Sequence, residues 1–195
     1  MLVAMMVMMY AADKFRNLTL YFLSLEDIFQ EDAEQNEKEG TYETMFVQGV
    51  ALHLKLLRCT EQIGYVFALP FLCCVYMYTG GVTILLFQFT ASERSLADMI
   101  SIIASVMVLA VCTGMTMCRA GDITHEASFL SNAMYMSGWQ HCRGLASHRL
   151  RKMLTMSMSY AQKPVQLKIL SIVDMSYASF LSVMKGAYSV FSVFK

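Results

Sequence analysis

The ionisable and nucleophilic side chains of this chain are few, and their spacing argues against chemistry on a substrate. Asp174 and Lys185 lie eleven positions apart, about three turns of a helix, so one helix cannot bring both to a single atom. No Ser/His/Asp grouping, glycine-rich phosphate loop or paired metal-ligand spacing occurs elsewhere, so the chain is read as not an enzyme, with no catalytic residue, no metal and no cofactor assigned. The six cysteines, Cys59, Cys73, Cys74, Cys112, Cys118 and Cys142, form no framework and read as small hydrophobes. Eighteen methionines without Met/His/Cys clustering suit flexible packing rather than copper ligation. The stretch from Glu26 to Glu43 holds Glu26, Asp27, Glu31, Asp32, Glu34, Glu37, Glu39 and Glu43 against Lys38. It lacks the alternating ligands and central glycine of a calcium loop. The expectation is a solvated, disordered segment.

What remains is the last apolar stretch, roughly Ile169 to Phe194, which carries Asp174, Lys185 and many Ser and Tyr residues. An ionisable group inside a membrane helix costs about 2.5–3.5 kcal/mol on insertion scales and turns toward protein or water. A wet final helix predicts a pore or a packed helix interface. Composition supplies the membrane: the 195 residues are 56% hydrophobic and 15% charged, against about 25% charge in a soluble domain.

The elements that position this helix follow in order. Met1 to Ala12 is apolar with no basic residue ahead of it, unlike a signal peptide, and is shorter than the roughly 20 residues a span needs. It reads as the tail of a membrane helix, and the chain as N-terminally truncated. Phe15, Leu18, Leu20, Tyr21, Leu23 and Leu25 continue an amphipathic helix to about Phe29. The sequon Asn17-Leu18-Thr19 stays unused if that helix is cytosolic. Helical periodicity resumes from Met45 to Gln62, so 1–62 is one membrane-helix end plus cytosolic helices and the acidic segment.

Residues 63–89 carry no charge over 27 positions and predict a transmembrane helix that tolerates Pro70 and Gly80-Gly81. Residues 99–118 are a second uncharged run of 20, with Ser101, Ala104, Ser105, Ala110 and Gly114 available for close packing. Residues 119–165 are polar and basic, with Ala133, Tyr135 and Trp139 placed on one helix, and Pro164 marks the start of the last element, 166–195. Twelve basic residues flank the central hairpin, whereas its connecting loop holds Arg94 alone. Topology explains that bias better than nucleic-acid binding, and it assigns the long loops to the cytosol and the C-terminus to the outside.

The chain resembles the insect odorant receptor family in an ordered series of residues. These are Glu126-Ala127-Ser128, Ala133-x-Tyr135-x-x-x-Trp139, Arg149-Leu150 ahead of Met153, Gln162-Lys163-Pro164, Ser179-Phe180, and Lys185-Gly186-Ala187-Tyr188-Ser189-x-Phe191. The resemblance implies an all-α, incomplete seven-helix membrane bundle of inverted topology with long cytosolic helix extensions. The chain would then start late in the fourth helix, and the sixth would extend into the cytosol to about residue 150. It further implies a plasma-membrane subunit of a ligand-gated cation channel in olfactory neurons, tetrameric with a shared co-receptor and, if the full chain is present, opened by a volatile odorant. Tyr135, Trp139 and Pro164 would belong to the cytosolic anchor, and Val190, Phe191 and Val193 to the pore gate. Ser101 and Ser105 would be the remnant of the odorant pocket. Membrane lipid is the other partner expected, and nucleic acid is not. A gustatory receptor of the same superfamily and a small structural or assembly membrane protein are the alternatives.

Overall fold

The computed structural model describes residues 2–30, 34–90, 96–144, 146–169 and 173–194, with the backbone alone described for residues 86, 89, 90, 146, 169, 173, 190, 191, 193 and 194. The chain is a helical bundle: α1 (Leu2–Ser24), a 3-10 segment (Leu25–Gln30), α2 (Gln35–Thr90), α3 (Leu96–Tyr135), a 3-10 turn (Trp139–His141), α4 (Ala146–Ala161) and α5 (Tyr177–Phe194). Between α4 and α5 lies a two-residue antiparallel ladder, β1 (Lys168–Ile169) with β2 (Val173–Asp174). Helices α2 and α3 have 56 and 40 residues, roughly 84 and 60 Å at 1.5 Å per residue. Both are long and apolar enough to cross a bilayer, and both exceed its hydrocarbon core of about 30 Å. Each helix is therefore longer than one crossing of that core requires.

Pro70 sits inside α2 without ending it, so the expected cytosolic helix and the span over 63–89 are one element. The loop carrying Glu93 and Arg94 lies outside the described residues.

The chain divides into two compact units. One comprises Met6–Gln62 with Asp122–Val165. In it Met8, Ala11, Ala12, Phe15, Leu18 and Phe22 are buried along α1, the three-and-four spacing of one helical face. Leu18 and Phe22 of that face share a core with Tyr42 and Phe46 of α2, Leu130, Ala133 and Met134 of α3, and Leu150 and Leu154 of α4. Phe22 and Phe46 pack edge to face with centroids 5.5 Å apart, a geometry aromatic quadrupoles favour.

The acidic stretch is more ordered here than its composition predicted. Leu25–Gln30 is a 3-10 segment and α2 begins at Gln35, carrying Glu37, Glu39 and Glu43 on helix. Long-range partners, described below, hold it; residues 31–33 lie outside the described residues.

The other unit comprises Met1–Met5, Ile63–Gly121 and Gln166–Lys195. Tyr65, Leu69, Tyr76, Met77 and Ile84 of α2 are exposed, as are Ile100, Met107, Val108 and Val111 of α3. In water each such side chain would forgo about 1.5–3 kcal/mol of burial; against lipid it forgoes none. Its small core is Tyr78, Val82 and Ala187, flanked by Val106, Leu109 and Val183. Gly114 faces Phe180, and Gly121 faces Tyr177 so closely that an added Cβ would lie 2.8 Å from that ring.

The final helix begins at Tyr177, later than the start expected near residue 166. Ser176 supplies the reason: its Oγ accepts the backbone N–H of Ser179 at 3.2 Å, an N-cap. Ahead of it, the N–H of Met175 donates to the carbonyl of Leu167 at 2.8 Å. Lys168 and Asp174 are ladder partners with Nζ and Oδ1 3.7 Å apart. Asp174 thus lies in the ladder, outside the helix in which it was expected.

Candidate functional site

A group of long-range polar contacts lies near the end of α3. Tyr135 is its last residue, and Gly138 then adopts φ +85 with Glu26 Cα 3.0 Å from where a Cβ would stand. Left-handed backbone and that close approach both demand glycine. This turn breaks the helix expected to carry Ala133, Tyr135 and Trp139 together, and Trp139 opens the 3-10 turn instead. The indole still reaches back, its Nε1 donating to the Tyr135 carbonyl at 2.9 Å. The Arg151 guanidinium lies 5.8 Å from the Trp139 ring centroid. Such an exposed cation–π contact contributes about 0.5–1 kcal/mol.

Three cavities surround Tyr135. The first, about 430 Å³, is lined by Tyr135 with Thr124, Asn132, Lys163 and Pro164. The second, about 480 Å³, joins Tyr135 and Trp139 with Arg151 and Met158. The third, about 630 Å³, joins the same two aromatics with Glu26 and Gln140. Tyr135 thus lines one cavity with Pro164 and two with Trp139. In the lining of the first cavity, Thr124 Oγ1 donates to the Val165 carbonyl at 2.6 Å.

The residue that sequence reasoning missed is Glu39. Its side chain accepts the backbone N–H of Arg143 at 2.8 Å and that of Gly144 at 3.0 and 3.2 Å, and Gln35 Nε2 donates to it at 3.1 Å. Glu39 is 6% exposed. The Arg143 N–H, opposed by burial and aided by Gln35 and Gly144, holds its carboxyl below the usual carboxylate range. A side chain on Gly144 would put its Cβ 2.5 Å from Glu39 Oε2, so glycine admits the carboxylate. Gln35 Nε2 also donates to the His141 carbonyl at 2.9 Å, and Arg149 binds Glu43 through Nε at 2.7 Å and through Nη2.

Behind this clasp the Tyr42 hydroxyl and Ser137 Oγ share a buried hydrogen bond of 2.6 Å, and burial pushes the phenol pKa upward. Cys142 is buried, and desolvation, with Glu39 and Glu43 adding negative charge, pushes its thiol up to about 11. A protonated thiol is a poor nucleophile. Among the described residues no three His, Cys, Asp or Glu side chains converge on a point that could hold a metal.

The remaining expected residues stand apart. Ser101 and Ser105 are exposed on α3, and Ser105 Oγ donates to the Ser101 carbonyl at 2.9 Å; neither lines the three cavities above. Val190, Phe191 and Val193 belong to the backbone of α5, and their side chains lie outside the described part of the structure. Lys185 is exposed on the same helix.

A helical fold in which two helices among the described residues are long and apolar enough to cross a bilayer defines a helical membrane protein. Residues 2–188 match the 7tm Odorant receptor family, and the chain belongs to that family. It is 24% identical over 151 residues to Odorant receptor 56a of Drosophila melanogaster, an alignment covering 77% of this chain and 35% of that receptor. The chain thus spans about a third of the length of the curated relative it matches.

Proposed function

We propose that the chain acts in olfactory transduction as an odorant receptor subunit of a ligand-gated cation channel, assembled with a shared co-receptor in a heterotetramer at the plasma membrane. The family match over residues 2–188 carries this reading. Two features support it: apolar helices continued as long polar-rimmed extensions, and a helical unit fastened by Glu39, Tyr42 and Arg149. That unit is the cytosolic anchor, in which Tyr135, Trp139 and Pro164 present the cavity-lined surface. Basic residues concentrated on the flanks of the hairpin favour a cytosolic anchor and an extracellular C-terminus.

In this reading α5 lines the pore, and Val190, Phe191 and Val193 form an apolar constriction that closes by dewetting. Ser101 and Ser105 face the odorant. The Ser105 proton is committed to the Ser101 carbonyl, so its oxygen offers an acceptor to a small apolar ligand bearing a hydroxyl. The test is whole-cell recording from cells expressing the chain, the co-receptor, or both, during application of an odorant panel. An odorant-evoked cation current found only with both supports the proposal. Currents indistinguishable from the co-receptor alone, with the chain verified at the surface, overturn it.

A further inference from the structure

We infer that the groove between the end of α1 and the middle of α2 binds an anionic phospholipid, its phosphate held by Lys14 and Lys55 and an acyl chain lying on Leu18, Leu52 and Leu56. The groove is about 410 Å³, and its lining carries two lysines, Asn17 and no carboxylate. Both lysines are exposed, and among the described residues neither pairs with a carboxylate; Lys14 Nζ lies 4.8 Å from the Tyr10 ring centroid. Two uncompensated cations beside an apolar floor are the complement of an amphiphile with an anionic head. A soluble phosphate would leave that floor wet.

Position selects the lipid. Lys14 follows the apolar run that ends at Ala12, and Lys55 precedes the uncharged run beginning at Ile63 by eight residues, about 12 Å along a helix. An extended lysine stem and the headgroup layer together cover that distance. Leu52 is 50% exposed, a state that an acyl chain would relieve. Basic pockets between helices at the membrane boundary are suited to acidic headgroups. The inference depends on the membrane placement of these helices and not on channel activity, so its failure and that of the receptor proposal are separable.

The test is native mass spectrometry of the full chain in detergent, titrated with phosphatidylserine and, separately, phosphatidylcholine. Each lysine contributes roughly fivefold near an anionic headgroup, so wild type is expected to prefer phosphatidylserine by about 25-fold. Lys14→Gln and Lys55→Gln should each remove about fivefold, and the double variant should approach parity. The Lys14→Arg/Lys55→Arg variant should keep the preference. The inference is overturned if the double glutamine variant retains the preference, or if wild type shows none. It is equally overturned if glycerophosphoserine, which lacks acyl chains, displaces the lipid, or if a lipid-free dimer shows that a second copy fills the groove.

Discussion

Replacing Glu39 with glutamine isolates the clasp that ties the start of α2 to the turn before α4. The carboxylate serves two backbone donors, Arg143 and Gly144, and one side-chain donor, Gln35. Hydrogen bonds to a charged acceptor contribute about 1.5–3 kcal/mol, against about 0.5–1.5 for neutral ones. A glutamine keeps one carbonyl acceptor and turns an amide donor toward the other N–H, so the net loss is about 2–3 kcal/mol. For a chain of this size that is roughly 4–12 °C in Tm. The assay is thermal unfolding in detergent followed by Trp139, the sole tryptophan, which opens the turn leading to the clasp. The pH dependence has a definite sign. Because the folded pKa of Glu39 is lowered, its contribution is present above the unfolded value near 4.3 and is lost as pH falls through the folded value. Wild type and Glu39→Gln should therefore converge at low pH. Equal Tm values at pH 7, or curves that run parallel down to acid pH, refute the argument.

Further outcomes follow from other contacts. Tyr42→Phe removes the buried bond to Ser137 and should cost about 1 kcal/mol, with a Tyr42→Phe/Ser137→Ala cycle showing coupling of similar size in thermal melts. Gly138→Ala meets both φ +85 and the Glu26 backbone, and should lose about 1–2 kcal/mol in the same melts. Burial lowers the His53 pKa, so stability attached to it is present above the unfolded value near 6.5 and lost below it. His53→Leu should flatten the melting curve between pH 7 and 5. With its thiol pushed up to about 11, Cys142 should resist maleimide at pH 8 while exposed Cys59 reacts, as read by peptide mass mapping.

The two long apolar helices were legible because their signal is local. An uncharged run of 27 residues predicts a helix long enough to span whatever surrounds it, and α2 runs through Pro70 as expected of such a helix. The clasp was not legible because its partners are remote: Glu39 and Arg143 are 104 positions apart, and a glutamate in an acidic run looks solvated until its donors arrive. The break after Tyr135 turned on Gly138, whose left-handed backbone no helical period reveals. The late start of α5 turned on a Ser176–Ser179 cap, which lacks the Glu or Gln of a capping box. Tyr135, Trp139 and Pro164 were singled out together through the resemblance; the structure places Tyr135 beside each of the other two in separate cavities.

The central proposal is that α5 of this chain lines the conduction path. Its most direct test places cysteine at Val193 and co-expresses the variant with the co-receptor. A charged methanethiosulfonate reagent is then applied from outside during an odorant-evoked current. The account predicts that the current changes irreversibly with Val193→Cys and is unaffected with the wild-type chain. An unmodified current in a variant that reaches the surface and responds normally would contradict it.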